Sequence, residues 1–358
     1  VVVHDENPNT HLSILPWLKL LAAEASGHDR RVQPPPPKPI RHRALLLQTA
    51  GSSNIRPAMR PHLLPVLVAC ILALPACAHP AQEAAAPNSP AAKSWLADVG
   101  AIADADATAG RRNAIARRLD TLGIKWRNSP FEIEGQHGTN ILADVAGDSA
   151  APLLLLGAHS DQVSKGEGAT DNASGSATVL ALAERLKARP LVHHRVAIAF
   201  WDLEEKGLLG SKAFVADRSV KPALYVNFDV FAWGDTVWMM TPDADDSLAN
   251  ASRQAASANG LKLTAGEHYP PTDHLAFLKS GWPAVSYSLV GGDEITAILA
   301  AYDGKKLTSV PKVMQVIHTD GDTLAQVDAN AAAHGVDAVE AALRRWDADS
   351  TAAPATSQ

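Results

Sequence analysis

Beyond residue 77 the sequence has no cysteine; its two, Cys70 and Cys77, fall in one apolar stretch that follows Met59. The body of the chain therefore holds no disulfide and no thiolate zinc site, and any metal there is held by histidine and carboxylate. A block of lysine and arginine is also missing, and the formal charge is −6. That argues against a nucleic-acid partner, because phosphate binding needs concentrated positive charge. The apolar run from Leu63 to Leu74 is too short for a spanning helix, which needs about 20 apolar residues, so no membrane span is expected. No internal repeat is visible. What the chain does have is length and apolar content: 358 residues, 46% of them apolar, are ample for a buried core.

The character of the sequence changes along its length. Residues 1–58 begin with Val1, carry the run Pro34 to Pro37 and show no sustained period, which reads as disorder or as an untranslated upstream extension. Met59-Arg60-Pro61-His62 then opens a signal peptide over 59–78, with a short basic start, the apolar run and the small-residue segment Pro75-Ala76-Cys77-Ala78. This predicts a periplasmic or secreted protein of bacterial type whose start is Met59. Leu74-Pro75-Ala76-Cys77 also resembles a bacterial lipoprotein box, with an atypical proline two before the cysteine, so a lipid anchor at Cys77 is the lesser reading. Residues 1–78 hold eight basic and four acidic side chains, and without them the net charge moves from −6 to −10. A linker rich in alanine and proline is expected over 79–93, a folded domain over 94–348 and a disordered tail over 349–358.

Within the domain, helical and extended patterns alternate. Helical spacing covers Trp95 to Ala103, Arg111 to Leu122, Ser174 to Ala188, Gly210 to Ala216, Asp246 to Ala258 and Ala325 to Trp346. Extended segments are Thr139 to Val145, Leu153 to Ala158, Arg195 to Phe200, Ala223 to Asp229 and Ala284 to Leu289. Leu153 to Ala158 is a continuous apolar run, as in a strand covered on both faces. The alternation predicts an α/β fold, a three-layer sandwich with a mixed, largely parallel central sheet.

The polar residues that carry chemistry follow these strands. His159-Ser160-Asp161 comes directly after one, Glu204-Glu205 after the next, and Asp229 closes a third. In open α/β sheets, ligands gather at the carboxyl ends of strands, so the three places converge. Asp171 lies in the glycine-rich turn Gly168 to Gly175, where the backbone can approach an ion closely, and His318 lies in a polar loop before the last helix. Two histidines and three carboxylates suit zinc. Two metals about 3.5 to 4 Å apart polarise a scissile carbonyl and acidify a water, while a carboxylate not tied to metal moves the proton. Neighbouring glutamates provide one of each. Asp161 is expected to accept a hydrogen bond from the far ring nitrogen of His159.

The motifs are Gly157-Ala158-His159-Ser160-Asp161, Thr170 to Gly175, Phe200 to Ser211, Asn227-Phe228-Asp229, Thr272-Asp273-His274 and His318 to Thr323. In this order and spacing the chain resembles the two-zinc aminopeptidases of metallopeptidase family 28, from about Asn140 to Thr323. The separation of 12 residues between His159 and Asp171 sets it apart from zinc deacylases and carboxypeptidases, which usually space these residues further. The resemblance implies two zinc ions, one held by His159 and Asp229, the other by Glu205 and His318, with Asp171 bridging and Glu204 as general base. It also implies a peptide substrate cut at its N-terminal residue.

There are departures and open positions. Ile317 stands where some members of the family carry a tyrosine that stabilises the oxyanion, and Tyr269 and Tyr287 are the alternative donors. Gly291 to Val316 matches no motif. His274 either packs beneath the site or contacts substrate; His193 and His194 are expected exposed at a strand entry. Asp320 and Asp322 read as turn formers that support His318 at most. A single-zinc glutaminyl cyclase, a zinc carboxypeptidase or deacylase, and a catalytically silent binding relative stay open as alternatives, as does the oligomeric state.

Overall fold

The computed structural model describes residues 86–350 except 106 and 134. The expected extension over 1–58, the signal peptide, Cys77 and the tail from 351 lie outside the described residues. The domain opens with α1 (Pro90–Ala103), inside the expected linker. Ser89 explains the early start: its hydroxyl accepts the Ala92 N–H at 3.1 Å, and Pro90 occupies the first turn, where a missing N–H is harmless. Helix α2 (Ala107–Thr121) follows, then the antiparallel pair β1 (Trp126–Ile133) and β2 (Gln136–Ala146).

The central units are β3 (Leu153–His159), α3 (Ser174–Ala188), β4 (Arg195–Trp201), α4 (Leu209–Asp217) and β5 (Leu224–Phe231). After them come β6 (Thr236–Met240), α5 (Ser247–Ala258), β7 (Lys262–Gly266), α6 (His274–Lys279) and β8 (Ala284–Val290). Three helices complete the domain: α7 (Ile295–Tyr302), α8 (Lys312–Val316) and α9 (Ala329–Asp349). The strands form one sheet in the order β1-β2-β4-β3-β5-β8-β6-β7. Its middle, β4-β3-β5-β8, is parallel, whereas β2 against β4 and β6 against β8 are antiparallel.

Strand β3 shows why the sheet has helices on both faces. All seven of its residues are buried. Leu154, Leu156 and Ala158 enter a large core with Trp95 and Val99 of α1, Leu180 of α3 and Val339 of α9. Leu153 and Leu155 enter a smaller core with Val215 of α4 and Phe277 of α6. A strand enclosed in this way has no solvent face, hence the unbroken apolar run. Each of its leucines contributes about 1.5–3 kcal/mol by leaving water. The predicted three-layer α/β sandwich is therefore the observed one.

Two expectations need correction. The last helix starts at Ala329 rather than Ala325, because Asp328 caps it through the N–H groups of Asn330 and Ala331. His194 is not exposed: its ring is buried, stacks on Trp346 at 4.4 Å and bonds the Asp347 carboxylate at 2.8 Å. It fastens the closing helix to the entry of β4.

Candidate metal centre

His159 is the last residue of β3, and Glu204 and Glu205 lie on the turn after β4. Asp229 sits before the end of β5, which runs on to Phe231. There the pairing with β8 shifts register between Phe228 and Phe231, and Val230 has a φ of 53°. Asp171 belongs to the kinked segment Ala169–Ala173, entered through Gly168 at φ 59°; Asp171 itself is extended and its peptide bond to Asn172 is cis. The carboxylate of Asp322 accepts the N–H groups of Thr170 at 2.7 Å and Asp171 at 3.1 Å. Asp322 thus holds the Asp171 turn instead of supporting His318. His318 follows α8 and Ile317 with a φ of 60°.

These five residues converge. Nε2 of His159 lies 3.0 Å from Oδ1 of Asp171 and 3.6 Å from Oδ1 of Asp229. Nε2 of His318 lies 3.0 Å from Oδ2 of the same aspartate and 3.1 Å from Oε2 of Glu205. Three donor groups result, each with its ligand atoms within 4.8 Å of one another: His159/Glu204/Glu205, and the pair His159/Asp171/Asp229 and Asp171/Glu205/His318. The last two share Asp171, one oxygen to each side. Oε1 of Glu205 and Oδ1 of Asp229 are buried without a hydrogen-bond partner among the described residues, although such oxygens cost free energy unless something pairs with them. The donor set and these orphaned oxygens fit divalent cations of the zinc type.

Electrostatics agree with that fit. Burial would lower the His159 pKa, yet Glu204, Asp161, Asp171 and Asp229 together hold it well above its usual value. His318 is likewise opposed by burial but raised to about 11 by Asp171 and Glu205. Cations belong here, whether protons or metals. Glu204 is raised well above the usual carboxylate range, first by burial and then by the charges of Asp273, Glu205 and Asp229, against the pull of His159.

The expected bond between His159 and Asp161 takes another form. Nδ1 of His159 faces the backbone carbonyl of Asp161 at 3.3 Å and its carboxylate at 3.5 Å. With Nδ1–H donated to that carbonyl, Nε2 is left bare toward Asp171 and Asp229. The Asp161 carboxylate instead accepts the N–H groups of Glu204 at 3.0 Å and Glu205 at 3.2 Å.

His274 is buried edge-on to Tyr269, its Nδ1 has no hydrogen-bond partner among the described residues, and burial pushes its pKa down to about 3. The neighbouring Asp273 is also buried, and burial pushes it up to about 7. Below them runs a chain of bonds from Trp201 to the hydroxyl of Tyr225, from there to Asn227, and from Asn227 to Thr272 and Ser286. It ties the Thr272-Asp273-His274 motif to the sheet.

Both candidate oxyanion donors have their hydroxyls engaged. Tyr287 is bonded to Ser252 of α5 at 2.7 Å, and Tyr269 to Ser288, which donates to the carbonyl of Asp229. Besides Tyr225, whose hydroxyl is bonded to Asn227, one further tyrosine was not marked by the motifs, Tyr302. It ends α7, within the unmatched Gly291 to Val316 segment. Burial raises its pKa first, and so do the charges of Asp229, Asp171, Glu204 and Glu205. Its phenol therefore stands in the field of the cluster.

Among the described residues no helix is long and apolar enough to cross a membrane. Leupeptin-inactivating enzyme 1 of Streptomyces exfoliatus is 29% identical over 236 residues, covering 63% of this chain and 52% of that protein. The chain spans about half or less of the length of the first curated relatives it matches. In fold it resembles the LapA aminopeptidase of Legionella pneumophila (TM-score 0.54, 16% identity, 71% of this chain and 69% of that one). It also resembles glutaminyl cyclase of Porphyromonas gingivalis (TM-score 0.57, 21% identity, 72% of this chain and 99% of that one). Residues 140–343, more than half of the chain and spanning every residue of the cluster, match Peptidase family M28. The chain belongs to that family.

Proposed function

We propose that the chain is a two-zinc aminopeptidase that releases the N-terminal residue of peptides. The observation that carries this reading is the division of Asp171 between His159 and His318, with Glu204 next to Glu205 and close to His159. His159 and Asp229 would hold one zinc, Glu205 and His318 the other, and Asp171 both. When bound, the ions supply Lewis acidity toward the scissile carbonyl and toward the attacking water. Glu204 takes a proton from that water as the carbon–oxygen bond forms. It returns the proton to the departing amine as the carbon–nitrogen bond breaks. Asp161 keeps Glu204 and Glu205 in register by accepting both of their backbone N–H groups.

The test is release of free amino acid from aminoacyl and peptide substrates, with and without a strong chelator, alongside a zinc count per chain. Chelator-sensitive release with two zinc ions supports the reading. Cyclisation of an N-terminal glutamine with one zinc per chain would transfer the protein to the glutaminyl cyclases, with His159 as the residue then left unexplained. Release from the carboxyl end or from an acyl group would make it a carboxypeptidase or deacylase, and no turnover on any substrate would make it a binding protein. We place its action in the periplasm or outside the cell, on the strength of the signal peptide from Met59. N-terminal sequencing of the mature protein checks this, and a blocked, lipidated Cys77 would point to an anchor.

A further inference from the structure

Helix α2 lies ahead of the residues matched to the family, yet it reaches both sides of the cluster. Arg111 is fully buried, with 0% exposure. Enclosing a guanidinium costs several kcal/mol unless hydrogen bonds replace its water. Four bonds do so: Nε donates to the Ser160 carbonyl at 2.8 Å and Nη1 to Oε1 of Gln162 at 2.7 Å. Nη1 also donates to the Glu167 carbonyl at 3.0 Å, and Nη2 to the Gly168 carbonyl at 3.2 Å. Every acceptor lies between His159 and Asp171.

The choice of acceptors is informative. Asp161, Asp171, Asp322 and Glu205 all act on Arg111 electrostatically, but three of its four bonds go to backbone carbonyls and the fourth to an amide. A side chain present only to offset negative charge would pair with a carboxylate. The planar fork instead grips both ends of one loop, from Ser160 to Gly168, which a lysine cannot span. The adjacent Arg112 turns to the other side: its Nη1 bonds Oδ2 of Asp202 at 2.9 Å, and that oxygen also accepts the Thr139 N–H at 2.7 Å. Asp202 begins the turn that carries Glu204 and Glu205.

We propose that Arg111 is a positioning residue: it fixes the loop that joins His159 to Asp171 and, with Arg112 on the Asp202 turn, sets the spacing of the two donor groups that share Asp171. Gly168 is part of the same device. Its φ of +59° suits glycine, and a Cβ there would meet Oε1 of Gln162 at 2.7 Å, the Asp171 carbonyl at 2.9 Å and Nη1 of Arg111 at 3.0 Å.

The proposal rests on the two-zinc reading, and zinc affinity measured by competition with a chromophoric chelator tests it on the full chain. Arg111→Lys keeps the charge and loses the fork. With the parental near-UV circular dichroism, it is expected to bind zinc about 10–100-fold more weakly, as outer partners of metal ligands do when altered. Its kcat is expected to fall more than KM changes. A folded Arg111→Lys that has lower thermal stability but parental zinc affinity and kcat would assign the residue to folding alone and overturn the proposal. Should that variant lose its tertiary spectrum, Gln162→Ala removes one acceptor of the same fork. Weakened zinc binding then supports the proposal and parental binding overturns it. A parent chain that binds no zinc removes the two-zinc reading and this proposal together, whereas a zinc-binding parent matched by its variants removes this proposal alone.

Discussion

The carboxylate of Asp161 accepts the backbone N–H of Glu204 at 3.0 Å, so the residue two after one candidate ligand positions the candidate base. Its other oxygen accepts the Glu205 N–H at 3.2 Å. Asparagine would keep one acceptor and turn an NH₂ group toward the second N–H, leaving a buried donor unpaired. Asp161→Asn is therefore expected to lower kcat by about 10–100-fold while zinc content holds. Steady-state kinetics with a parallel zinc measurement decides, and a parental kcat would remove Asp161 from the mechanism.

Asp171 and the histidines predict a difference in stoichiometry. Because its two oxygens lie 3.0 Å from Nε2 of His159 and of His318 respectively, Asp171→Ala takes a donor from both groups that share it, whereas His318→Ala takes one from a single group. Asp171→Ala is expected to lose most of its zinc, and His318→Ala to retain roughly one ion per chain. Elemental analysis of the dialysed proteins provides the count. Equal loss in the two variants would contradict a shared aspartate.

Glu204 separates binding from turnover. It lies outside the two groups that share Asp171 but forms a third with His159 and Glu205, and glutamine has nearly its shape without its ability to take a proton. Glu204→Gln is expected to keep both zinc ions and lose about 10²–10⁴-fold in kcat, the range of a general base. A variant that cleaves at the parental rate would dismiss the residue as base, and one that loses zinc would make it a ligand.

What the sequence disclosed and what it hid divide along physical lines. Strands β3, β4 and β5 were legible because a strand covered on both faces must be apolar throughout. Their carboxyl ends then located His159 and Glu204-Glu205, and Asp229 came two residues early only because a bulge interrupts β5. Strand β1 was missed: half-exposed, with Asn128 and Pro130 within it, it lacks the periodic signal. Long-range polar contacts were also hidden. Asp322 and Thr170 are 152 positions apart, and nothing local to Asp322 distinguishes it from a turn former. Arg111 sits in a helix of arginines and alanines with no motif around it, and its role emerges only once α2 packs against the loop after β3. Tyr302 was unmarked for a similar reason, since α7 belongs to a segment without family motifs.

The clamp between β4 and the closing helix gives a prediction about stability rather than turnover. Asp347 is buried and accepts the N–H groups of Val192 at 2.6 Å, His193 at 3.1 Å and His194 at 3.0 Å, as well as Nδ1 of His194 at 2.8 Å. Burial alone would raise its pKa, but the bonds from His194, Val192 and His193 outweigh it and hold the carboxyl below the usual range. A depressed carboxylate stabilises the fold at pH values above the unfolded pKa, about 4, and this contribution is lost as the pH falls through the folded value. Asp347→Ala leaves backbone donors unpaired and is expected to cost about 1–3 kcal/mol at neutral pH, with roughly 2–4 °C of Tm per kcal/mol. The gap in Tm between parent and variant should narrow in acid as the pH falls from neutral through the depressed folded value and the parent too loses its carboxylate. Because His194 precedes β4 and Glu204 follows it, kcat at low temperature should match the parent's. Thermal melts at neutral and acid pH provide the check: a gap that stays constant or widens in acid would show that the charge of Asp347 is not what closes the clamp.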